Sequence, residues 1–250
     1  MRDSRLLVAL CAFLCALVVS VAPARAANTE QLITGVKLIK QPHGQPWWIG
    51  LSLGATISTP DGSKPSALSK LVFLFPHATV NAGAFPTCTV AKLRAHGARG
   101  CPAGSRLGKG TSLIDASPLL NPAHADITMF NGPRRHGNPT FLFMAQAREV
   151  QVTLYLQGTL ARQRGRFGYK LTMPFPRIPT ITGFPDASVS QFQVNVQAFG
   201  RRHGRRVPLL EAPTSCPSPG WLFEGDFSFY DGQSGSARTT IGCTLTGTPA

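Results

Sequence analysis

Two cysteines in the first half of the chain are the residues that most resemble a reactive or metal-binding site. Cys88 and Cys101 stand in the stretch FPTCTVAKLRAHGARGC, and His96 is the only other metal-ligating side chain between them. A structural zinc site needs about four thiolate or imidazole ligands at short spacings. No C-x-x-C pair is present either, which removes the usual redox motif. The two cysteines therefore predict a structural disulfide, and no metal.

The glycine-rich run GSRLGKGT follows directly and resembles a phosphate-binding loop. In that loop a glycine, four residues of any type, a Gly-Lys pair and then Ser or Thr must follow each other. Here Ala103 stands at the first position and Gly110 follows Lys109, so the pattern fails twice. We therefore interpret 85–110 as a stapled turn. Thr87 or Thr89 can cap a short helix at about 89–96, and Gly97 can end it.

The N-terminus shows the three parts of a secretory signal peptide. Arg2 and Arg5 precede an almost unbroken apolar run over 6–22, and Ala24 and Ala26 occupy the small-residue positions of a cleavage site. The alternative is an N-terminal membrane anchor, for which this run is at the short limit. We expect cleavage after Ala26, so that 1–26 is a signal peptide and the mature protein is secreted, either extracellular or associated with the cell wall.

Export would leave four of the six cysteines. Four cysteines allow three pairings, and in an oxidising compartment they are expected to form disulfides. Because neighbours in sequence meet most easily, we predict the pairs Cys88–Cys101 and Cys216–Cys243.

In most of the mature chain, apolar and polar residues alternate with a period of two, in segments that are separated by Gly and Pro residues. Strands are predicted near 31–40, 48–58, 70–75, 110–115, 124–131, 139–147, 150–160, 167–174, 187–199, 221–230 and 237–245. Inward-facing residues are expected to include Val150, Val152, Leu154, Leu156, Phe192, Val194, Val196, Trp221, Phe223, Phe227 and Phe229. Asp231-Gly232 is a hairpin signal.

This pattern predicts an all-β fold, an antiparallel β-sandwich of jelly-roll or immunoglobulin-like type with one short helix. A weakly marked subdomain boundary near 117–124 divides a subdomain over 27–120 from one over 121–250. One continuous sandwich fits the sequence pattern equally well.

The two cysteine-containing motifs, FPTC…GCPAGSRLGKG and SCPSPGWLFEGDFSFYDGQ, resemble a group of predicted secreted proteins of high-GC Gram-positive bacteria. The resemblance covers most of the mature chain, including the Pro-rich segment MPFPRIPTITGFP. It implies two local disulfides and a β-rich fold. It implies no catalytic residues, because no activity is attached to the group.

Known catalytic constellations are absent from the sequence. It contains neither G-x-S-x-G nor S-x-x-K. Glu224 and Asp226 are expected to share one strand face, as a carboxylate pair of a glycosidase would, and His124 and Asp126 could supply two metal ligands. No further ligand clusters with His124 and Asp126, and we interpret Glu224 and Asp226 as ordinary solvated surface. We predict no metal and no cofactor. An enzyme remains the less favoured class.

The chain is strongly basic, with a net charge of +14, of which the segment 1–26 accounts for only two charges. Nine arginines fall in three loop-like segments: Arg134 and Arg135; Arg162, Arg164 and Arg166; and Arg201, Arg202, Arg205 and Arg206. Counting strand directions in a simple antiparallel meander places all three segments at the same end of the sheet. Such an end would attract polyanions. The alternative is that the arginines only keep hairpin tips soluble.

Few aromatic residues lie among these arginines, so nucleic acid is not an expected partner. Anionic envelope polymers or an anionic membrane surface suit an exported protein better. The sequence thus predicts a secreted, non-enzymatic β-sandwich, a binding or structural module of the cell envelope. An extracellular carbohydrate-binding or carbohydrate-active domain is the alternative.

Overall fold

The computed structural model describes residues 27–41, 46–213 and 216–243. The predicted signal peptide at 1–26 lies outside these ranges. Within them, no helix has both the length and the apolar character needed to cross a membrane.

The secondary structure of the described residues consists of fifteen strands, one α-helix and three short 3₁₀ turns. The strands are β1 (Thr29–Ile39), β2 (Trp48–Ser58), β3 (Leu68–Phe75), β4 (Thr79–Val80), β5 (Arg106–Ala116), β6 (Leu120–Arg135), β7 (Asn138–Ala147), β8 (Thr153–Arg162), β9 (Tyr169–Pro174), β10 (Ser188–Val196), β11 (Phe199–Arg202), β12 (Arg205–Pro208), β13 (Leu210–Glu211), β14 (Trp221–Phe229) and β15 (Ser234–Ile241). Helix α1 is Val90–His96, and the 3₁₀ turns are Ala82–Ala84, Gly97–Gly100 and Ala103–Ser105.

Thirteen strands form one antiparallel sheet, and β11 and β12 form a separate hairpin. The long strands follow the order β1-β2-β10-β5-β6-β7-β8-β9-β3-β14-β15. The two outermost strands of this order lie side by side: Asn28 Nδ2 donates to Gln233 Oε1 at 3.2 Å, and the Glu30 carboxylate leaves no space for a Cβ on Gly235. The sheet therefore curves round on itself and encloses its core.

The predicted all-β class, the short helix and both disulfides are confirmed. The two halves of the sheet face each other across a shared core, as the layers of a sandwich do, but they belong to one continuous sheet. Strands from 27–120 and 121–250 are neighbours throughout, for example β3 beside β9 and β14. The stretch at 117–124 contains the hairpin turn between β5 and β6.

The inner face of the sheet carries the main core. Phe192, Val194 and Val196 on β10 are buried, as are Trp221 and the three other inward residues predicted on β14. The prediction was wrong for Val150 and Val152, which are exposed. Strand β8 begins only at Thr153, so these two valines lie in the turn that precedes it rather than in the alternating strand.

Helix α1 covers part of the outer face of the sheet. Thr89 caps it, with its side chain accepting from the Lys92 backbone N–H at 3.2 Å, and Gly97 ends it at a φ of 58°. Leu93 and the Cys88–Cys101 disulfide pack there against outward-facing residues of β6 and β7, including Phe130. The predicted stapled turn is thus confirmed, and its role is to close a second, small core.

The glycines of the GKG run have a structural role within β5. A Cβ on Gly110 would lie 1.9 Å from the Gln193 carbonyl oxygen, and one on Gly108 would lie 2.4 Å from that of Asn195. Both glycines let β5 approach the backbone of β10 closely, which is a typical use of glycine where a sheet bends tightly.

Candidate functional site

Strand directions define two ends of the wrapped sheet. Because neighbouring strands are antiparallel, the β6–β7 turn, the β8–β9 turn and the β11–β12 hairpin that continues β10 all lie at one end, the arginine end. All nine arginines predicted to share an end lie in these three segments and are exposed. The opposite end, which we call the acidic end, contains the β2–β3, β5–β6, β7–β8, β9–β10 and β14–β15 connections.

The two ends differ strongly in charge. Five carboxylates lie at the acidic end, in its connections or at the end of β5: Asp61, Asp115, Glu149, Asp186 and Asp231. At the arginine end, none of the nine arginines forms an ion pair within the described part of the chain. The molecule is therefore electrically polarised, with its free positive charge concentrated at one end.

Three of the nine arginines make contacts that hold them in place. Arg134 donates to the Gly137 carbonyl at 2.7 Å and closes its own hairpin. The guanidinium carbon of Arg162 lies 5.7 Å from the centroid of the Tyr169 ring, and that of Arg206 lies 4.0 Å from the centroid of the Phe199 ring. Such stacking attracts the cation to the ring face and leaves the N–H groups along the guanidinium edge available for an anion.

A cavity of about 150 Å³ lies inside the wrapped sheet. Its wall is made of inward-facing aliphatic and aromatic residues from strands all round the sheet, among them Leu53, Phe73, Phe143, Leu156 and Val194. The polar side chains of the wall are few, and one of them, Ser112, donates its hydroxyl to the Gln191 carbonyl at 2.8 Å. This space can hold an apolar molecule but cannot solvate a charge.

Small inward-facing residues help to create this space. Ala125 on β6 and Ala145 on β7 are buried in the interior, and the glycines at 108 and 110 on β5 contribute no side chain. Leu154 and Leu156 on β8 face the same interior and remain only half-buried. Bulky residues at these positions would have closed the interior into an ordinary packed core.

The acidic end of the cavity is covered by the β9–β10 connection. Phe175 and Ile178 of this segment form part of the wall. Several contacts fix the segment: Tyr230 Oη donates to the Phe175 carbonyl at 2.6 Å, and Lys64 Nζ donates to the Pro185 carbonyl at 3.4 Å. Burial lowers the pKa of Lys64, while Asp115 and Asp186 act in the opposite direction.

Several wall residues at the arginine end are only partly covered. Ile49, Phe75 and Leu210 are half-buried, and His77, which also belongs to the wall, is exposed. The cavity therefore approaches solvent at the arginine end, close to the loops that carry the free positive charge.

The carboxylate pair on β14 lies outside the cavity. Glu224 accepts from Arg238 Nε at 2.6 Å, and neither carboxylate belongs to the cavity wall. Burial, and next the neighbouring Glu224, raise the pKa of Asp226, while Lys170, Arg238 and Lys70 oppose this shift. The pair stands on the outer face of the sheet, where Arg238, Lys170 and Lys70 are its neighbouring cations.

The other candidate ligands are also paired. His124 Nδ1 lies 2.7 Å from Glu149 Oε1, and Arg148 binds Asp126 through two nitrogens. The described residues contain no group of three or more His, Cys, Asp or Glu side chains that could hold a metal ion.

No protein-family model matches the chain, and neither the curated proteins nor the solved structures contain a significant match to it. The chemistry of the molecule must therefore be inferred from its own geometry.

Sequence reasoning found the arginines but missed the cavity. Alternation identifies which residues face inward, whereas only the packed structure decides whether their volumes fill the interior. The small residues at 108, 110, 125 and 145 were the available signal, and they act only once their strands become neighbours.

Proposed function

We propose that the protein is a non-enzymatic binding module of the cell envelope or extracellular space that holds an apolar ligand inside its wrapped sheet. The observation that carries this proposal is the cavity of about 150 Å³ with its almost wholly apolar wall. A buried apolar space left unfilled costs about 24 cal/mol per Å³, which corresponds to about 3–4 kcal/mol at this volume. An apolar ligand would recover much of this free energy, and apolar cavities of similar size bind such molecules while excluding water.

The test is a chain-length series of neutral apolar ligands, for example the methyl esters of saturated fatty acids. They would compete with a neutral fluorescent probe such as diphenylhexatriene on the purified protein. Affinity should rise about fourfold with each added methylene until the cavity is full. Mass spectrometry of a solvent extract of the purified protein should also show a co-purifying apolar molecule.

A matched pair of variants localises the binding. Leu156→Trp adds bulk inside the cavity and should abolish binding, whereas Gln157→Trp adds the same bulk to the outer face of the same strand. If both variants bind like the parent protein, or if the affinity does not depend on chain length, the cavity is not the binding site and the proposal fails.

Export is part of this proposal. The two disulfides support it, because such bonds persist in oxidising compartments. Sequencing the N-terminus of the protein recovered from the culture medium should give Ala27 within about two residues. Recovery of the intact chain from the membrane fraction would instead indicate an anchor.

A second candidate function is the binding of an anionic envelope polymer. It is favoured by the nine exposed arginines at one end and the absence of ion pairs for them among the described residues. The purified protein should then bind a polyglycerol-phosphate chain at low salt, and the affinity should fall steeply as salt rises, because each phosphate contact releases counterions.

A further inference from the structure

The arginine end and the cavity are joined through Tyr169. This residue begins β9, its ring is buried, and it forms part of the cavity wall. The guanidinium group of Arg162 lies over that ring, with its carbon 5.7 Å from the ring centroid. A single side chain therefore contacts the apolar interior and an exposed cation at the mouth.

Arg206 of the β11–β12 hairpin stacks on aromatic rings at the outer face of the sheet. The Trp48 and Phe199 rings pack with their centroids 5.2 Å apart, and the Arg206 guanidinium carbon lies 5.7 Å and 4.0 Å from these two centroids. Ile49 belongs to the cavity wall, and successive residues of a strand point to opposite faces, so Trp48 faces away from the cavity. Arg206 is therefore a matched control for Arg162.

His77 forms a second junction. It belongs to the cavity wall at the end of β3, and its Nε2 lies 2.9 Å from the Gly165 carbonyl oxygen. Gly168 N–H also donates to the Phe75 carbonyl at 2.9 Å. These two contacts hold the β8–β9 loop, which carries Arg164 and Arg166, at the mouth.

We propose that the ligand is an anionic amphiphile, whose carboxylate or phosphate head binds Arg162 while its alkyl tail enters the cavity. This inference rests on the proposed function. The apolar wall cannot solvate a charge, so a charged head must remain at the mouth. The guanidinium groups there have no carboxylate partner within the described residues, and their planar edges match the two oxygens of a carboxylate or phosphate.

The decisive measurement compares lauric acid with its methyl ester, which has the same alkyl chain but no charge. Both compete with diphenylhexatriene on the parent protein and on the single variants Arg162→Gln and Arg206→Gln. The parent protein should bind the acid at least about tenfold more tightly than the ester, because charge-assisted hydrogen bonds are worth more than tenfold in affinity. Arg162→Gln should lose this preference and bind the ester unchanged, whereas Arg206→Gln should keep the preference.

Two controls separate a built site from general attraction. Arg148→Gln removes an exposed arginine at the acidic end and should leave the acid preference intact. Ile181→Ser/Phe184→Ser removes two of the exposed hydrophobic side chains on the β9–β10 connection and should leave both affinities intact, since adsorption to surface patches is not the mode of binding. Unchanged melting temperatures exclude unfolding as the cause of any loss.

The outcomes distinguish the two proposals. Equal binding of acid and ester by the parent protein would overturn the anionic head while leaving an apolar ligand in place. Binding of neither would overturn both proposals. Binding of polyglycerol phosphate without lauric acid would assign the arginines to a polymer instead. A further arm uses vesicles of phosphatidylglycerol: extraction of this lipid, or capture of lauric acid alone, supports the anionic amphiphile and identifies a membrane lipid or a free acid as its source.

Discussion

Single polar residues determine how the connections are fixed to the wrapped sheet. Asn131 on β6 is only 2% exposed, and its side-chain amide donates to the Ala82 and Phe85 carbonyls at 3.1 and 3.0 Å. Its backbone carbonyl also accepts from the Cys88 N–H at 2.8 Å. One side chain thus secures the segment that leads into the helix and the disulfide.

We predict that Asn131→Leu lowers the free energy of unfolding by about 2–4 kcal/mol, because it leaves buried carbonyl groups without a donor. Urea denaturation checks this value. Gln146→Ala, at an exposed position on the neighbouring strand β7, should change stability by less than about 0.5 kcal/mol. Similar small losses in both variants would show that the Asn131 bonds do not stabilise the fold.

Asp226 leads to a prediction about how the stability of the protein depends on pH. Burial raises its pKa, so the folded state binds this proton more tightly than the unfolded state, and stability falls as pH rises from the ordinary aspartate pKa through the raised one. Asp226→Asn removes this loss. After allowance for solvent screening we expect a gain of at most about 1 kcal/mol at about pH 7 and none at about pH 3.

Asp126→Asn is the control, because its effect on stability at neutral pH should have the opposite sign. A hydrogen bond from Arg148 lowers the pKa of Asp126, so this carboxylate contributes stability that is present at neutral pH and is lost as pH falls through the lowered pKa. The Asp126→Asn variant should therefore be the less stable one at neutral pH and equal the parent protein in acid. Urea denaturation at both pH values measures the stability of the two variants. An Asp226→Asn protein that is less stable than the parent protein at neutral pH would contradict the prediction.

At the scale of elements, the contact between β5 and β10 determines how tightly the sheet bends. Gly110→Ala would place a Cβ 1.9 Å from the Gln193 carbonyl oxygen, which is backbone and cannot rotate away. We expect a loss of about 2–4 kcal/mol in the free energy of unfolding, measured with urea. Because this bend surrounds the cavity, its relaxation in the Gly110→Ala variant should also weaken the binding of diphenylhexatriene.

Gly35→Ala on β1 is the matched control, because its Cβ would meet the Ser52 Cβ at 3.4 Å, an ordinary contact. Its stability should change by less than about 1 kcal/mol, since the lost flexibility of the unfolded chain offsets a small crowding cost. Equal tolerance of alanine at both positions would show that β5 and β10 need no close backbone approach.

At the scale of the whole molecule, the separation of charge between the two ends has a consequence for association. A concentrated positive end attracts anions over roughly a Debye length, about 8–10 Å at moderate ionic strength, so the three arginine loops reinforce one another only when they lie close together. Antiparallel pairing of β5 to β10 provides this proximity, although the three loops are separated in sequence.

We predict that replacing Arg201, Arg202, Arg205 and Arg206 with serine weakens binding to polyglycerol phosphate, and that replacing Arg162, Arg164 and Arg166 has a similar effect. The combined variant should show a shallower dependence of affinity on salt, because fewer counterions are released. The melting temperature should change little, since exposed charges contribute little to stability. Unchanged affinity in the combined variant would leave these arginines with a solubilising role only.

Much of the fold could be predicted from local pattern. The alternation in β10 and β14 placed Phe192 and Trp221 inward, and both are buried. Thr89 and Gly97 bounded the helix, and the spacing of the cysteines indicated both disulfides. These features follow from neighbours in sequence. The prediction failed for Val150 and Val152 because the same alternation continues into a turn. Whether a turn residue is buried depends on its contacts in the tertiary structure.

The sequence by itself determined the β-class, the staples and the arginine end, because hydrophobic period, turn residues and strand direction are properties of short segments. Only the tertiary structure decided that one sheet wraps round until β1 meets β15 and that space remains inside it. Closure joins segments about two hundred residues apart, and cavity volume is the small difference between an enclosed space and the side chains that fill it. Neither the closure of the sheet nor the volume of the cavity is a property of a single segment, so no local sequence pattern could have specified them.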